Sequence, residues 1–87
     1  FLSFGLTGLF THTKSKLKMK NNLKVQRAIK NITQEELAKI IGVSRQTINA
    51  IELTKYVPST VLALKLSEYF EKTVNEIFTL EPEDKGM

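Results

Sequence analysis

The sequence predicts an all-α fold, a compact bundle of five short helices within residues 19–80. Two patterns favour helices. Apolar residues recur three and four positions apart, and no stretch alternates apolar with polar residues over the length of a half-buried strand. Each of the five segments follows a residue whose side chain can cap a helix. A chain of 87 residues, 41% hydrophobic and 25% charged, suits one globular domain, and we expect no second domain within it.

Both ends of the chain fall outside this bundle. Residues 1–18 begin with a short apolar run, whereas about 20 apolar residues span a bilayer, and their lysines follow that run, unlike those of a signal peptide. The composition changes at Met19, which resembles a translation start. We therefore expect residues 1–18 to be an extension without a role in function; the alternative is an accessory arm that packs on a partner subunit. Residues 81–87 form an acidic tail that we expect to be frayed.

The first two helices have clear starts and ends. The first is predicted over residues 23–30, where Asn22 can cap the start and Asn31 can take the left-handed conformation at the end. The second is predicted over residues 34–41 and stops at Gly42. Only one residue separates this glycine from the next cap, so the chain must turn sharply there. Glycine permits such a turn because it tolerates positive φ.

Three more helices follow the turn. They are predicted over residues 45–53, 60–70 and 74–78, with Ser44, Ser59 and Thr73 as their respective caps. The fourth helix carries apolar residues four positions apart, which form one stripe for the core. Two helices open with a capping box, in which each of two residues bonds to the backbone amide of the other. These pairs are Thr33 with Glu36 and Thr73 with Glu76.

The charged residues are unevenly distributed along the chain. The net charge of +4 is made up of +3 in residues 1–18, +4 in residues 19–55 and −3 in residues 56–87. Without the first segment the chain is close to neutral, so the total charge is weak evidence for a polyanionic partner. The basic middle segment is better evidence, because a nucleic-acid surface needs its positive charge in one place.

The composition excludes several classes of function. The chain has no cysteine, so it forms neither a disulfide nor a thiolate zinc site, and a reducing cytoplasmic location is expected. Its only histidine, His12, lies in the extension, and no pair of carboxylates is placed for acid–base catalysis. A domain of this size encloses no large cleft. We therefore expect a protein that is not an enzyme, uses no metal or cofactor, and acts through its surface.

The third helix has a face to which a function can be assigned. At about 100° per residue, Ile48 and Ile51 define its buried side. The opposite face consists of Gln46, Asn49, Ala50 and Leu53, with Arg45 beside them. Arginine, glutamine and asparagine can read purine edges in the major groove, and alanine can contact a thymine methyl. Taken alone, this face is more simply interpreted as an ordinary solvated surface.

A longer pattern favours the DNA-binding interpretation. Residues 34–52, QEELAKIIGVSRQTINAIE, closely resemble the helix-turn-helix of the phage-repressor-like transcriptional regulators, the XRE or Cro/C1-type family. The matching features are Ala38 where two helices approach closely, Gly42 in the turn, and Ile48 with Ile51 on the inner face. The resemblance continues through a Lys-Tyr-x-Pro-Ser segment to a final Asn-Glu-Ile-Phe, so it covers about residues 21–80.

The resemblance implies a transcriptional regulator, expected to be a repressor, that binds double-stranded DNA sequence-specifically and is associated with the nucleoid. Helix 44–53 is expected to lie in the major groove, and a homodimer is expected to bind an inverted-repeat operator. The base-contacting residues are expected to be Arg45, Gln46, Asn49 and Ala50. The phosphate-contacting residues are expected to be Gln34, Ser44, Thr47, Lys55 and Tyr56, with capping as the alternative for Ser44 and packing for Tyr56. The resemblance also implies that Gln34 braces the recognition helix; the alternative is an ordinary polar residue in the first turn of its helix.

Three further features concern the scaffold. In the family that this sequence resembles, the residues matching Arg27 and Glu52 form an ion pair between the first and third helices; the alternative is two exposed charges worth at most about 1 kcal/mol. Leu53 and Thr54 depart from the family pattern of a glycine after the third helix, and threonine makes a left-handed end costlier. The fifth helix is more apolar than a small monomer needs. The dimer contact is therefore expected at Val74, Ile77, Phe78 and Leu80.

One alternative function stays open. A helical module of this kind can act as an antitoxin, which neutralises a protein toxin and also binds its own promoter. The tail over residues 81–87 is shorter than an unstructured toxin-binding segment normally is. An adjacent toxin-like reading frame would favour this alternative, whereas a gene standing alone beside its promoter would favour a simple regulator. No residue pattern indicates a small-molecule effector.

Overall fold

The computed structural model describes residues 19–85, and eight secondary-structure elements follow one another in this part of the chain. The helices are α1 (Leu23–Lys30), α2 (Gln34–Ile41), α3 (Arg45–Glu52), α4 (Thr60–Phe70), α5 (Val74–Ile77) and α6 (Pro82–Lys85), and the strands are β1 (Lys20–Asn21) and β2 (Phe78–Thr79). The predicted all-α bundle is confirmed, with the five expected helices in place. Among the described helices, none combines the length and the apolar composition needed to cross a bilayer.

Side-chain caps start the helices from α2 to α5, at the residues that the sequence predicts. The Thr33 hydroxyl accepts from the backbone amide of Glu36 at 3.0 Å, and the Glu36 carboxylate accepts from the Thr33 amide at 2.8 Å. Ser44 and Ser59 cap α3 and α4 through their hydroxyls, and Thr73 opens α5 with a second capping box. Such caps satisfy amides that have no partner within the helix, so each start is determined locally.

The first helix begins at Leu23, as the sequence predicts, but a different side chain caps it. The side chain that accepts from the Leu23 amide, at 3.0 Å, belongs to Asn21, and its Nδ2 also donates to the Ile51 carbonyl at 2.8 Å. Asn22 was predicted to be the cap, but its Nδ2 donates to the Glu76 carbonyl at 3.1 Å. The two asparagines therefore tie the beginning of α1 to α3 and α5.

A short antiparallel ladder joins the two ends of the domain, which the sequence did not predict. Its pairs are Lys20 with Thr79 and Asn21 with Phe78. The Asn22 amide extends this connection by donating to the Ile77 carbonyl at 3.0 Å. Because each strand has only two residues, it produces no alternation that periodicity could detect. The ladder forms because the helices between its strands bring the two ends of the domain together.

The core lies where α1 to α5 meet. Its largest fully buried side chains come from all five of these helices and are Leu23, Leu37, Ile48, Ile51, Leu66 and Ile77. The apolar stripe predicted on α4 is also buried, at Leu62, Leu66 and Phe70. Burial of a side chain of this size contributes about 1.5–3 kcal/mol. Tertiary packing therefore stabilises helices that are too short to persist alone.

Burial corrects part of the predicted dimer contact. Ile77 is 1% exposed and Phe78 is 5% exposed, so both belong to the core of the protomer and offer little surface to a second copy. Val74 is partly buried against the same core, whereas Leu80 is 52% exposed. Periodicity could not separate these roles because α5 has only four residues. Of the four predicted contact residues, Leu80 and the open side of Val74 are therefore the ones that face solvent.

The end of the described chain contains one more helical turn, which the sequence did not predict. Residues 82–85 form this single turn, α6, within the tail that is expected to be frayed. Proline suits the first position of a helix, where no amide hydrogen is needed, and Pro82 occupies it. The Asp84 carboxylate accepts from the Glu81 amide at 2.9 Å, which caps the turn. The extension predicted over residues 1–18 lies outside the described residues.

Candidate nucleic-acid interface

The turn between α2 and α3 determines where the third helix begins. Gly42 has a φ of +92°, a left-handed conformation that residues with a side chain rarely adopt. Its amide and that of Val43 both donate to the Ala38 carbonyl, at 2.8 and 3.0 Å. Ser44 then caps α3 by accepting from the Thr47 amide at 3.1 Å. A Cβ at Gly42 would meet no atom within 4 Å, so the turn requires glycine for its conformation and not for space.

The third helix separates a buried side from an open side. Ile48 and Ile51 are fully buried, as the periodicity predicts. Of the residues predicted to contact bases, Arg45 and Gln46 are exposed, and Asn49 and Ala50 are partly exposed. The two exposed side chains occupy the first turn of the helix, next to the turn at Gly42. The first turn of α3 is therefore its most accessible part.

An ion pair between α1 and α3 anchors the third helix on its inner edge. Arg27 Nε donates to Glu52 Oε2 at 2.6 Å, and Arg27 Nη2 donates to Glu52 Oε1 at 3.1 Å, so the contact is bidentate. The two side chains are only 15% and 5% exposed. Arg27 Nη1 also donates to the Ile32 carbonyl at 3.0 Å. The hydrogen bond to Glu52 raises the pKa of Arg27 against the opposing effect of burial, so the guanidinium stays charged.

Gln34 connects this ion pair to the open side of α3. Its Nε2 donates to Glu52 Oε1 at 3.0 Å and to Asn49 Oδ1 at 3.1 Å. Its Oε1 accepts from Arg45 Nη1 at 3.3 Å. A chain of hydrogen bonds thus runs from the nearly buried Arg27 to the exposed Arg45 by way of the start of α2. We call these five residues, Arg27, Gln34, Arg45, Asn49 and Glu52, the polar network.

The family resemblance implies that Gln34 braces the recognition helix, but it does not name the partners of Gln34 on α3. A pattern that could have revealed them was present, because Arg45, Asn49 and Glu52 are spaced four and three residues apart and so share one edge of the helix. What the sequence could not supply is the distance between that edge and the start of α2. The structure shows that Asn49 and Glu52 share one amide group as their partner.

The chain leaves α3 through a left-handed residue, as it does in the turn before the helix at Gly42, but here the residue is not a glycine. Thr54 has a φ of +59°. The amides of Thr54 and Lys55 donate to the carbonyls of Ile51 and Ala50, both at 2.9 Å, which closes the helix in a Schellman motif. A left-handed conformation costs a residue with a side chain about 1–2 kcal/mol. The threonine therefore makes the turn that a glycine would make, with strain that a glycine would not have.

The residues predicted to contact phosphates lie at the two ends of α3 and at the start of α2. The hydroxyls of Ser44 and Thr47 are hydrogen-bonded to each other at 3.0 Å, so Ser44 combines this contact with its role as a cap. Lys55 and Tyr56 are exposed in the loop after α3, and Gln34 is partly exposed. Over residues 19–85, no group of at least three His, Cys, Asp or Glu side chains is arranged to hold a metal ion.

The sequence matches known proteins over most of the described domain. A family model described as helix-turn-helix matches residues 23–77. The HTH-type transcriptional regulator MJ0272 of Methanocaldococcus jannaschii is 53% identical over 66 residues, which are 76% of this chain and 100% of that protein. The HTH-type transcriptional regulator YgzD of Bacillus subtilis is 46% identical with the same coverage. An HTH-type transcriptional regulator of Archaeoglobus fulgidus is 44% identical over 76% of this chain and 93% of that protein.

These similarities agree with the geometry of α2 and α3. The matched residues contain both helices, the turn at Gly42 and every member of the polar network. They amount to more than half of the chain. This protein therefore belongs to the XRE-type helix-turn-helix family of DNA-binding transcriptional regulators.

Proposed function

We propose that this protein is a sequence-specific repressor that places α3 in the major groove of double-stranded DNA. The observation that carries this proposal is the first turn of α3, which exposes Arg45 and Gln46 on a helix whose other side is buried. Arginine pairs with guanine and glutamine with adenine through two hydrogen bonds each. Such contacts select a sequence only when the helix is held in one orientation, and the buried isoleucines and the polar network supply that support.

Phosphate contacts are proposed on both sides of these base-reading side chains. Ser44 and Thr47 lie at the start of α3, and Lys55 and Tyr56 follow its end in an exposed loop. Contacts at both ends would fix the helix along the groove while the side chains between them choose the sequence. The net charge of +4 in residues 19–55 favours this surface and makes binding sensitive to salt.

The proposed operator is an inverted repeat bound by a homodimer. A recognition helix of eight residues contacts too few base pairs for high specificity, and a two-fold dimer doubles the number. The half-sites would be about one helical turn of DNA apart, roughly 34–36 Å. Leu80 and the open side of Val74 are the proposed dimer contact, because the other predicted residues are buried. Bound across a promoter in the nucleoid, such a dimer excludes other proteins from the same DNA.

Selection of bound duplexes from a random pool by the purified protein tests this proposal. We expect enrichment of an inverted repeat whose half-sites are about one helical turn apart. Sedimentation on a saturated palindromic site should give two protomers per duplex, and transcription from a template carrying the site should decrease when the protein is added. A pool without any enriched sequence would refute sequence-specific binding, and a single protomer on a saturated palindrome would refute the dimer.

A further inference from the structure

The hydrogen bonds of the polar network can run in only one donor-to-acceptor order, because the Glu52 carboxylate accepts hydrogen bonds and donates none. Both of its oxygens accept from the Arg27 guanidinium, at 2.6 and 3.1 Å. Any side-chain amide that reaches this carboxylate must therefore present its nitrogen. The Glu52 carboxylate thus decides that the nitrogen of the Gln34 amide, and not its oxygen, faces α3.

The orientation of the Gln34 amide in turn determines which atom of the Asn49 amide faces it. Gln34 Nε2 has two hydrogens, one for Glu52 Oε1 at 3.0 Å and one for Asn49 Oδ1 at 3.1 Å. A reversed Gln34 amide would turn its oxygen toward the carboxylate, which offers no hydrogen. The Gln34 oxygen instead accepts from Arg45 Nη1 at 3.3 Å, so all the contacts of this amide agree on one orientation.

Asn49 is consequently oriented as a donor. Its Oδ1 faces Gln34, which leaves Nδ2 on the other side of the same planar group. Within residues 19–85 this nitrogen donates to no protein acceptor. Asn49 is partly exposed and lies one turn after Arg45. Its free hydrogens are therefore the polar atoms that this side chain can offer to a bound molecule.

We propose that Gln34 makes Asn49 a donor-only reader of DNA, so that the protein selects guanine over adenine at the base pair that Asn49 faces. This inference rests on the proposed function and adds Gln34 as a specificity-determining residue. In the major groove guanine presents two acceptors, O6 and N7, whereas adenine presents one acceptor and one donor. Asparagine reads adenine when its oxygen and nitrogen both face that base, and the bond to Gln34 holds the oxygen away.

Selection of bound duplexes by the wild-type protein and by variants tests the inference at single base pairs. Asn49→Ala identifies the position that Asn49 faces, because the base preference should disappear there alone. The wild-type protein should enrich guanine at this position. Gln34→Met keeps the length of the side chain and removes its hydrogen bonds, so Asn49 becomes free to turn its amide. The ratio of guanine to adenine should then fall about tenfold, the effect of one bidentate contact.

Glu35→Met is the matched control. Glu35 is the next residue of α2 and is exposed. Its substitution introduces the same methionine one position away from Gln34, outside the polar network. It should leave the ratio of guanine to adenine unchanged. Circular dichroism melts show whether each variant is folded. Where Gln34→Met is not folded, Asn49→Asp decides the question, because its acceptor-only oxygens should abolish the preference for guanine.

The outcomes separate this inference from the proposed function. Four outcomes would each overturn the inference and leave sequence-specific binding intact. Two concern the preferred base: the wild-type protein prefers adenine, or Asn49→Asp retains the preference for guanine. The other two are an unchanged ratio of guanine to adenine in folded Gln34→Met and an Asn49→Ala variant that loses no preference. A wild-type protein that enriches no sequence would overturn the proposed function and the inference with it. A fall in the ratio with Gln34→Met but not with Glu35→Met supports the inference.

Discussion

The inner edge of α3, at Glu52, and its exit, the turn at Thr54 after the helix, are held in different ways. Along the inner edge, Glu52 binds Arg27 through two hydrogen bonds, and Gln34 links the pair to the rest of the helix. At the exit the chain turns on Thr54, and the loop that follows exposes Lys55. Residues far apart in sequence therefore orient the helix, whereas a short local turn directs the loop. The inner edge should control stability, and the exit should control binding more than stability.

The turn before α3 and the turn after it differ in backbone strain. Four helices in the described residues end on a left-handed residue, namely Asn31, Gly42, Thr54 and Glu71. Glycine takes this conformation freely and asparagine tolerates it, whereas threonine and glutamate are strained by it. The turn into the recognition helix is therefore relaxed, and the turn out of it is not. The strained left-handed residues thus lie after α3, at Thr54, and after α4, at Glu71.

Breaking the inner edge is expected to have the largest effect. Arg27→Ala leaves the Glu52 carboxylate nearly buried without its cation, which should lower the free energy of unfolding by about 3–5 kcal/mol. That is most of the stability of a domain this small. Thermal melts followed by circular dichroism measure the loss. A melting temperature within a degree or two of the wild type would show that the pair contributes little.

The control for this prediction removes both charges. A double variant, Arg27→Met with Glu52→Leu, leaves no unpaired charge and keeps most of the volume, so it should lose much less stability than Arg27→Ala. It still deprives Gln34 of one acceptor, which leaves Asn49 Oδ1 as the remaining partner of that amide nitrogen. Equal losses in the single and double variants would contradict the explanation by an uncompensated charge.

A substitution at the entry of α3 should have the next largest effect. Gly42→Val places a β-branched residue at a φ of +92°, which should cost about 1–3 kcal/mol in backbone strain. Because a Cβ there meets nothing within 4 Å, Gly42→Ala should cost less and should not cause a clash. Chemical denaturation of both variants measures the two losses. Equal stability of Gly42→Val and the wild type would show that the turn does not require glycine.

Binding measurements should show that the loop after α3 contributes affinity, whereas the open side of α3 contributes sequence selectivity. Lys55→Ala should weaken binding to all sequences and reduce the salt dependence of affinity by about 0.9 for the lost phosphate contact. Gln46→Ala should instead reduce selectivity at particular base pairs, by about 1–3 kcal/mol each. Fluorescence anisotropy on matched and mismatched duplexes at several salt concentrations separates these effects. An equal loss on every duplex for both variants would refute base reading by Gln46.

Relieving the strain at the exit should have the smallest effect. Thr54→Gly removes the left-handed penalty but also loses the hydrogen bond from the Thr54 hydroxyl to the Leu53 carbonyl, so we expect a gain of about 0.5–1 kcal/mol. Glu71→Gly is a matched control at a φ of 55°, and its gain should be smaller because glutamate is not β-branched. Denaturant midpoints measure both changes. A loss of stability in Thr54→Gly would show that the exit is not strained.

The amino-acid sequence determined the features of this protein that depend on neighbouring residues. The capping boxes and the stop at Gly42 involve groups three or four positions apart, so spacing alone predicts them. The same holds for the burial of Ile48 and Ile51, because a helix repeats every 3.6 residues. The pairing of Arg27 with Glu52 was available only through the family resemblance, since the two residues are 25 positions apart.

Only the tertiary structure decided the features that depend on where distant segments meet. The ladder at the ends of the domain and the burial of Ile77 and Phe78 follow from the packing of short elements, which periodicity cannot resolve. The orientation of Asn49 follows from Gln34, whose own orientation follows from Glu52. A hydrogen bond requires two groups at about 3 Å with matched donor and acceptor. Sequence supplies the groups, and the fold supplies the distance and direction between them.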